Sequence, residues 1–98
     1  MMDDFRSMWL DRIRRDASVT HVGFRVAYSI AADADHDGVR SARMIAFAAA
    51  AGTSLPSLSQ AIDRLAGLGY LTVRRAGPGQ QVRVKILRTT PNKAAAFK

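Results

Sequence analysis

The chain has 98 residues, which suits one domain and excludes a large multidomain enzyme. It carries 15 basic and 8 acidic residues, a formal net charge of +7 at pH 7. Such an excess has to be solvated or neutralised by an anionic partner, and nucleic acid is the leading candidate. Because the chain has no cysteine, disulfides, thiolate metal ligands and a cysteine nucleophile are excluded.

The charge is unevenly distributed along the chain. Residues 1–38 hold five basic and seven acidic side chains, whereas residues 39–98 hold ten basic and one acidic. An acidic first half repels DNA, so the basic half is expected to face an anionic partner. Charges are too dense in the first 15 residues for a signal peptide, and no run approaches the roughly 18 apolar residues of a membrane span. We therefore expect a cytoplasmic, nucleoid-associated protein with no membrane partner.

Two amphipathic helices are predicted in the first half of the chain. Apolar residues recur at helical spacing between Asp3 and Asp16. Thr20 is a suitable N-cap for a second helix, and Gly38 is expected to end it. The core-facing stripe of this second helix is Phe24, Ala27, Ile30 and Ala31.

A short strand and a third helix are predicted next. Val39 and Arg40 could form the strand. Ser41 is a suitable N-cap for a helix over residues 42–51, and Gly52 is expected at its C′ position. The alanines of this helix favour the close approach of a neighbouring helix.

The fourth predicted helix covers residues 55–67. Ser54 is its N-cap, and Pro56 is tolerated because the amides of the first turn have no intrahelical partners. After this helix the apolar period changes from 3.6 to 2, which predicts a two-stranded hairpin over residues 70–88 with one apolar and one cationic face. Residues 89–98 have no strong pattern and predict a flexible tail.

The succession of helix, glycine turn, helix and basic hairpin resembles a winged helix-turn-helix. The residues that match the core pattern of bacterial winged-helix regulators are Ala48, Gly52, Ser54, Leu58, Ile62, Leu65, Gly69 and Leu71. The upstream segment, with Trp9, Leu10 and VTHVGFRVAYSIAADADHDG, is similar to the helix-turn-helix modules of plasmid and phage replication initiators. The resemblance spans residues 9–88. It implies an α+β, mainly α fold in which four helices precede a two-stranded β-hairpin wing, forming one domain over residues 1–88.

The resemblance implies binding of double-stranded DNA, most simply by a transcriptional regulator with its fourth helix in the major groove. The same residues would also serve an accessory module for replication initiation or recombination, which is one alternative. A winged helix that binds another protein is a second alternative. The first helix could support a homodimer, because Met8 and Trp9 can pack on the core or against a second copy. No catalysis and no cofactor are expected, since no nucleophile elbow, phosphate loop or acid–base pair is present.

The fourth helix supplies candidate contacts to bases. Rotation by about 100° per residue places its polar side chains opposite its apolar stripe. Gln60 is suited to adenine, Arg64 to guanine or phosphate, and the two serines Ser57 and Ser59 to base edges or phosphate. Asp63 lies on the same face, where phosphates repel it unless it accepts a hydrogen bond from cytosine or pairs with a nearby arginine.

The hairpin and the start of the third helix supply candidate contacts to the DNA backbone. Arg74, Arg83 and Lys85 are expected to share the outer face of the ribbon while its valines pack inward. Arginines before and within the third helix are expected to flank the duplex. The complete set of these backbone candidates is Arg40, Arg43, Arg74, Arg75, Gln81, Arg83 and Lys85.

One segment partly matches a calcium site. Positions 1, 3, 5 and 6 of an EF-hand loop are matched by Asp33, Asp35, Asp37 and Gly38. Position 12 is Met44, which cannot supply the bidentate carboxylate that the loop requires. We therefore expect a structural turn and no metal site.

Overall fold

The structure, a computed structural model, describes residues 4–76 and 81–87. Its elements are α1 (Asp4–Arg15), α2 (His21–Asp33), β1 (Val39–Arg43), α3 (Met44–Ala51), α4 (Leu55–Gly67), β2 (Leu71–Ala76) and β3 (Gln81–Ile86). The fold is therefore α+β and mainly helical, as predicted. Of the predicted AGPG turn at residues 76–79, only Ala76 is described, as the last residue of β2, and the predicted tail at residues 89–98 lies outside the described residues.

The predicted boundaries of α4 and two of the predicted N-caps, Thr20 and Ser54, are confirmed. The Thr20 hydroxyl accepts the backbone N–H of Gly23 at 3.0 Å, and the Ser54 hydroxyl accepts that of Ser57 at 3.3 Å. Each bond satisfies one of the backbone donors that a helix N-terminus leaves unpaired. These caps set the first residues of α2 and α4 at the positions that the sequence indicates.

The sheet has three strands rather than the predicted two, in the order β1-β3-β2. β1 runs antiparallel to β3, with Val39 opposite Lys85 and Arg43 opposite Gln81. A two-stranded hairpin by itself is marginally stable in water, and the third strand completes a small sheet. The predicted hairpin is therefore present but forms only part of the sheet.

The third helix begins at Met44, so the predicted start at residue 42 and the N-cap Ser41 were wrong. Ser41 lies within β1, opposite Arg83, and its backbone belongs to the strand ladder. Arg43 occupies the N-cap position with an extended backbone and no capping side-chain bond. Pairing with β3 therefore prevailed over a local cap, which contributes only about 1 kcal/mol.

The second helix ends at Asp33, before the predicted stop at Gly38. The Asp35 carboxylate accepts the backbone N–H groups of Asp37 and Val39 at 2.9 and 3.0 Å. The Val39 bond is the main cause of the lowered pKa of Asp35. Gly38 adopts a positive φ of 80° in the turn that follows. The partial EF-hand match is thus a turn held by hydrogen bonds, and no cluster of three or more metal-ligating side chains occurs in residues 4–76 and 81–87.

The helices and one face of the sheet enclose a single apolar cluster. Trp9 is 2% exposed, and its indole N–H donates to the Tyr70 carbonyl at 2.8 Å, so α1 is joined to the segment between α4 and β2. In α2, Val26 is fully buried whereas the predicted core residue Phe24 is only partly buried. The remaining residues predicted for the stripe of α2, Ala27, Ile30 and Ala31, are buried.

None of the helices in the described part of the chain is long and apolar enough to cross a membrane by itself. Together, α3 and α4 have sufficient length and apolar composition, but they are bent by 89° at the break between them.

The Tyr70 side chain links the α1–α2 connection to the start of β2. Its hydroxyl donates to the Asp16 carboxylate at 2.6 Å, and burial together with this bond raises the pKa of Tyr70 from 10.0 to about 12. A pKa raised in the folded state means that the protonated phenol stabilises the fold. This contribution is complete below pH 10 and is lost as the pH rises toward 12.

We therefore predict that the free energy of unfolding falls between pH 10 and pH 12 more steeply in the wild-type chain than in Tyr70→Phe. Denaturant unfolding measured across this range tests the prediction. Lysine deprotonation is common to both chains and cancels in the comparison. Two curves that stay parallel across this pH range contradict the assignment.

Candidate nucleic-acid interface

The junction between α3 and α4 is a tight perpendicular turn. Three residues, 52–54, connect the helices, whose axes are bent by 89°. Gly52 has the left-handed φ of 69° that closes α3, as predicted. Arg25 of α2 donates to the Gly52 carbonyl at 3.1 Å and so ties the turn to the rest of the fold.

One face of α4 is buried and the opposite face is open to solvent. The buried side chains are Leu58, Ala61, Ile62 and Leu65. Gln60 and Arg64 are exposed and line a groove between α4 and the start of α2. Ser57 and Ser59 lie beside them and are partly exposed. The structure therefore brings together all four base-contact candidates that the sequence placed on this helix.

Asp63 is paired with an arginine, one of the two possibilities that the sequence left open. Nη2 of Arg75 lies 3.0 Å from Oδ1 of Asp63 and donates to the Ser59 hydroxyl at 3.3 Å. Both charged side chains are about half exposed, so the pair adds little to stability. Its effect is positional, because it holds the hairpin against α4. Arg75, one of the predicted DNA contacts, bonds to α4 while its side chain stays partly exposed.

Arg40 does not join the basic surface that was predicted to include it. Its side chain is 11% exposed and forms an ion pair with Asp33 at 3.5 Å. The guanidinium donates to the Ser29 hydroxyl at 3.0 Å and lies 4.1 Å from the centre of the Phe47 ring. The cause is strand register, since Arg40 lies opposite the buried Val84 and shares its face of the sheet. A phosphate contact by Arg40 is thus not supported.

The other predicted backbone contacts share the face of the sheet that is turned away from the helices, here called the outer sheet face. Side chains in β3 alternate between exposed and buried, which places Arg83 and Lys85 on this face. Arg83 lies between Arg74 of β2 and Ser41 of β1. The polar members of the outer sheet face are Ser41, Arg43, Thr72, Arg74, Gln81, Arg83 and Lys85.

The outer sheet face is cationic and has no acidic side chain. None of its four cations forms an ion pair with any residue that the structure describes. Arg74 and Arg83 are directly opposed across neighbouring strands, an arrangement that costs stability. The described residues of the fold leave this charge repulsion unrelieved.

Two polar members of this face, Ser41 and Thr72, were not among the predicted contacts. The alternation of apolar and polar residues in β2 was sufficient to place Thr72 beside Arg74. Ser41 gave no comparable signal, because its place on the face follows from the pairing of β1 with β3.

No family model, curated protein or solved structure matches this chain. Its function is therefore inferred from the geometry of α3, α4 and the sheet.

We predict that Gly52→Ala lowers the free energy of unfolding by about 1–2 kcal/mol, the cost of a left-handed backbone for an L-residue with a side chain. The added Cβ also lies 2.6 Å from Nη2 of Arg25, so the Arg25 side chain has to move. Gly67→Ala is the matched control, because its added Cβ meets nothing within 4 Å. Thermal or denaturant unfolding that gives equal stabilities for the two variants contradicts this account of the turn.

We also predict that Arg74→Thr raises the free energy of unfolding by about 0.2–1 kcal/mol, because it removes a like-charged pair and keeps a residue that favours strands. The increase should shrink as salt screens the repulsion from Arg83. Denaturant unfolding at low and high salt measures both effects. Destabilisation at low salt is incompatible with unrelieved repulsion on the outer sheet face.

Proposed function

We propose that this chain binds double-stranded DNA as a winged helix-turn-helix protein. The observation that carries the proposal is the pair of helices α3 and α4, joined by three residues at 89°, with the exposed polar face on the second helix. A helix-turn-helix has a turn of three or four residues and a helix angle of about 90–120°. In such motifs the second helix enters the major groove.

The exposed face of α4 has side chains suited to reading base edges. A helix with its side chains is about 10–12 Å across, which fits a major groove about 12 Å wide. Gln60 presents an amide that can bond adenine through two atoms, and Arg64 a guanidinium that can bond guanine in the same way. The Arg75–Asp63 pair keeps β2 beside α4, and we propose that the hairpin acts as the wing of the motif.

The biological role that we propose is transcriptional regulation at the bacterial nucleoid, by binding alone and without a cofactor. DNA binding by the same α4 surface would also suit an accessory role in replication initiation or recombination, and this role is the alternative. A regulator that reads two half-sites would pair with a second copy. If α1 forms that contact, Met8 is available because it is 59% exposed, whereas Trp9 is committed to the core.

A protein-interaction role is favoured by a different surface. The helix α3 is apolar on all sides, and Ile45 is 65% exposed. Ala46, Ala49 and Ala50 lie exposed on the same side of the helix. A helix with this pattern is usually covered by a partner. Failure to bind any duplex, combined with loss of a protein partner in Ile45→Lys, would favour this second function.

We predict that the chain selects a preferred sequence from a random pool of duplexes, and that Gln60→Ala or Arg64→Ala reduces this preference. Loss of a two-atom contact costs about 1–3 kcal/mol at the matched base and little elsewhere. Binding measured by fluorescence anisotropy on the selected duplex and on single-base variants gives the position that each side chain reads.

The matched control is Arg14→Ala, which removes an exposed arginine from α1, far along the chain from α4. It should leave the sequence preference unchanged. If the α4 variants and the α1 control affect all duplexes equally, α4 does not read the bases and the proposal fails.

A further inference from the structure

The outer sheet face and the exposed face of α4 point in different directions. Neighbouring residues of a strand project to opposite faces of a sheet. Arg75 projects from the helix side of β2 and reaches Ser59 and Asp63 of α4. Arg74 therefore projects away from α4, and so does Arg83 opposite it. With α4 in a major groove, the cations of the outer sheet face are directed away from that duplex.

The composition of the outer sheet face matches the groups that contact a phosphate backbone. It combines four cations with two hydroxyls and one amide, the side chains that donate most often to phosphate and sugar oxygens in DNA. It has no aromatic side chain on which an unpaired base could stack. It also has no large exposed apolar side chain for a lipid surface, since Val39 is partly buried. The chemistry thus favours a duplex.

The width of the face disfavours its entry into the major groove. Neighbouring strands lie about 4.8 Å apart. The outer strands β1 and β2, with β3 between them, are therefore roughly 10 Å apart. The major groove admits a helix or a two-stranded ribbon, which is narrower than this sheet with its side chains. The sheet is therefore suited to lie across phosphates, where its contacts carry no sequence information.

We propose that the outer sheet face is a second, sequence-independent phosphate-binding surface, on which the chain holds one DNA duplex while α4 occupies another. The inference goes beyond the proposed function, because it makes the chain a bridge between two DNA segments. It depends on the proposed function only for the identity of the first duplex.

A bridging assay tests the proposal. A biotinylated duplex, carrying the selected sequence or the random pool itself if none is selected, is fixed to beads and loaded with the full chain. A fluorescent duplex of scrambled sequence is then added at several salt concentrations. We expect the beads to capture the second duplex, and the double variant Arg74→Gln, Arg83→Gln to reduce capture about tenfold. Loss of two phosphate contacts should also lower the log–log salt slope of capture by about 2.

Three comparisons make the result decisive. The charge-matched control Arg14→Gln, Arg15→Gln should keep capture at the wild-type level, and Arg74→Lys, Arg83→Lys should retain it because phosphate contact needs charge at these positions. The Gln variant should bind the first duplex as well as the control does, which shows that it is folded. Separately, a Gln60→Ala, Arg64→Ala variant that binds the first duplex normally overturns the proposed function but leaves the second surface measurable.

Two outcomes overturn the second surface. If the Gln variant captures the second duplex as efficiently as wild type, the bridge uses other residues, such as the α4 helices of two paired chains. If it loses the first duplex to the same extent as the second, the outer sheet face contacts the same duplex as α4.

Discussion

Burial of one face of β3 determines where the charges of the second half of the chain are placed. Val82, Val84 and Ile86 are at most 2% exposed and pack against the helices. Because the side-chain period of a strand is two, the cations that alternate with them must face solvent. Pairing extends this division to the flanking strands, so that Arg75 is directed toward the helices and Arg74 away from them. A slip of one residue would exchange the two faces and bury cations in the core.

Arg40 and Arg75 are directed toward the helices, and both have hydrogen-bond and ion-pair partners there. A charge removed from water is costly unless it is paired and hydrogen-bonded. Arg40 has an acid, a hydroxyl and an aromatic ring around its guanidinium, and a cation over a ring gains about 0.5–2 kcal/mol. Arg75 meets a carboxylate and a hydroxyl on α4. Both arginines therefore join elements of the fold, and the basic surface consists of the cations that remain.

Several charged side chains in the first half of the chain form ion pairs or hydrogen bonds within that half. Asp11 forms ion pairs with Arg14 and Arg15 on the same helix, which lower the pKa of its carboxyl group. Arg6 donates to two carbonyls at the end of α2. Among the described residues of the second half, the cations without an ion pair are Arg64 of α4 and the four cations of the outer sheet face. The partner that we propose, double-stranded DNA, would be attracted to these cations and repelled by the acidic residues of the first half.

The sequence by itself determined the bounds and polar face of α4, the N-caps of α2 and α4, and the glycine that ends α3. These features depend on local physics: a hydroxyl reaching an amide three residues ahead, a glycine with positive φ, and an apolar period of 3.6. Gly52 and Ser54 are such local signals, because each acts on backbone groups only a few residues away. The α+β class followed in the same way from the change of period after α4.

Only the tertiary structure decided which cations are free. Nothing near Ser41 in sequence shows that its segment pairs with a strand some 40 residues later, and that pairing overrides the local cap. The same pairing places Arg40 inside and Arg43 outside, and the register of β2 against β3 directs Arg75 toward Asp63 of α4. Strand pairing joins segments far apart in sequence, so its register depends on the packing of the whole core.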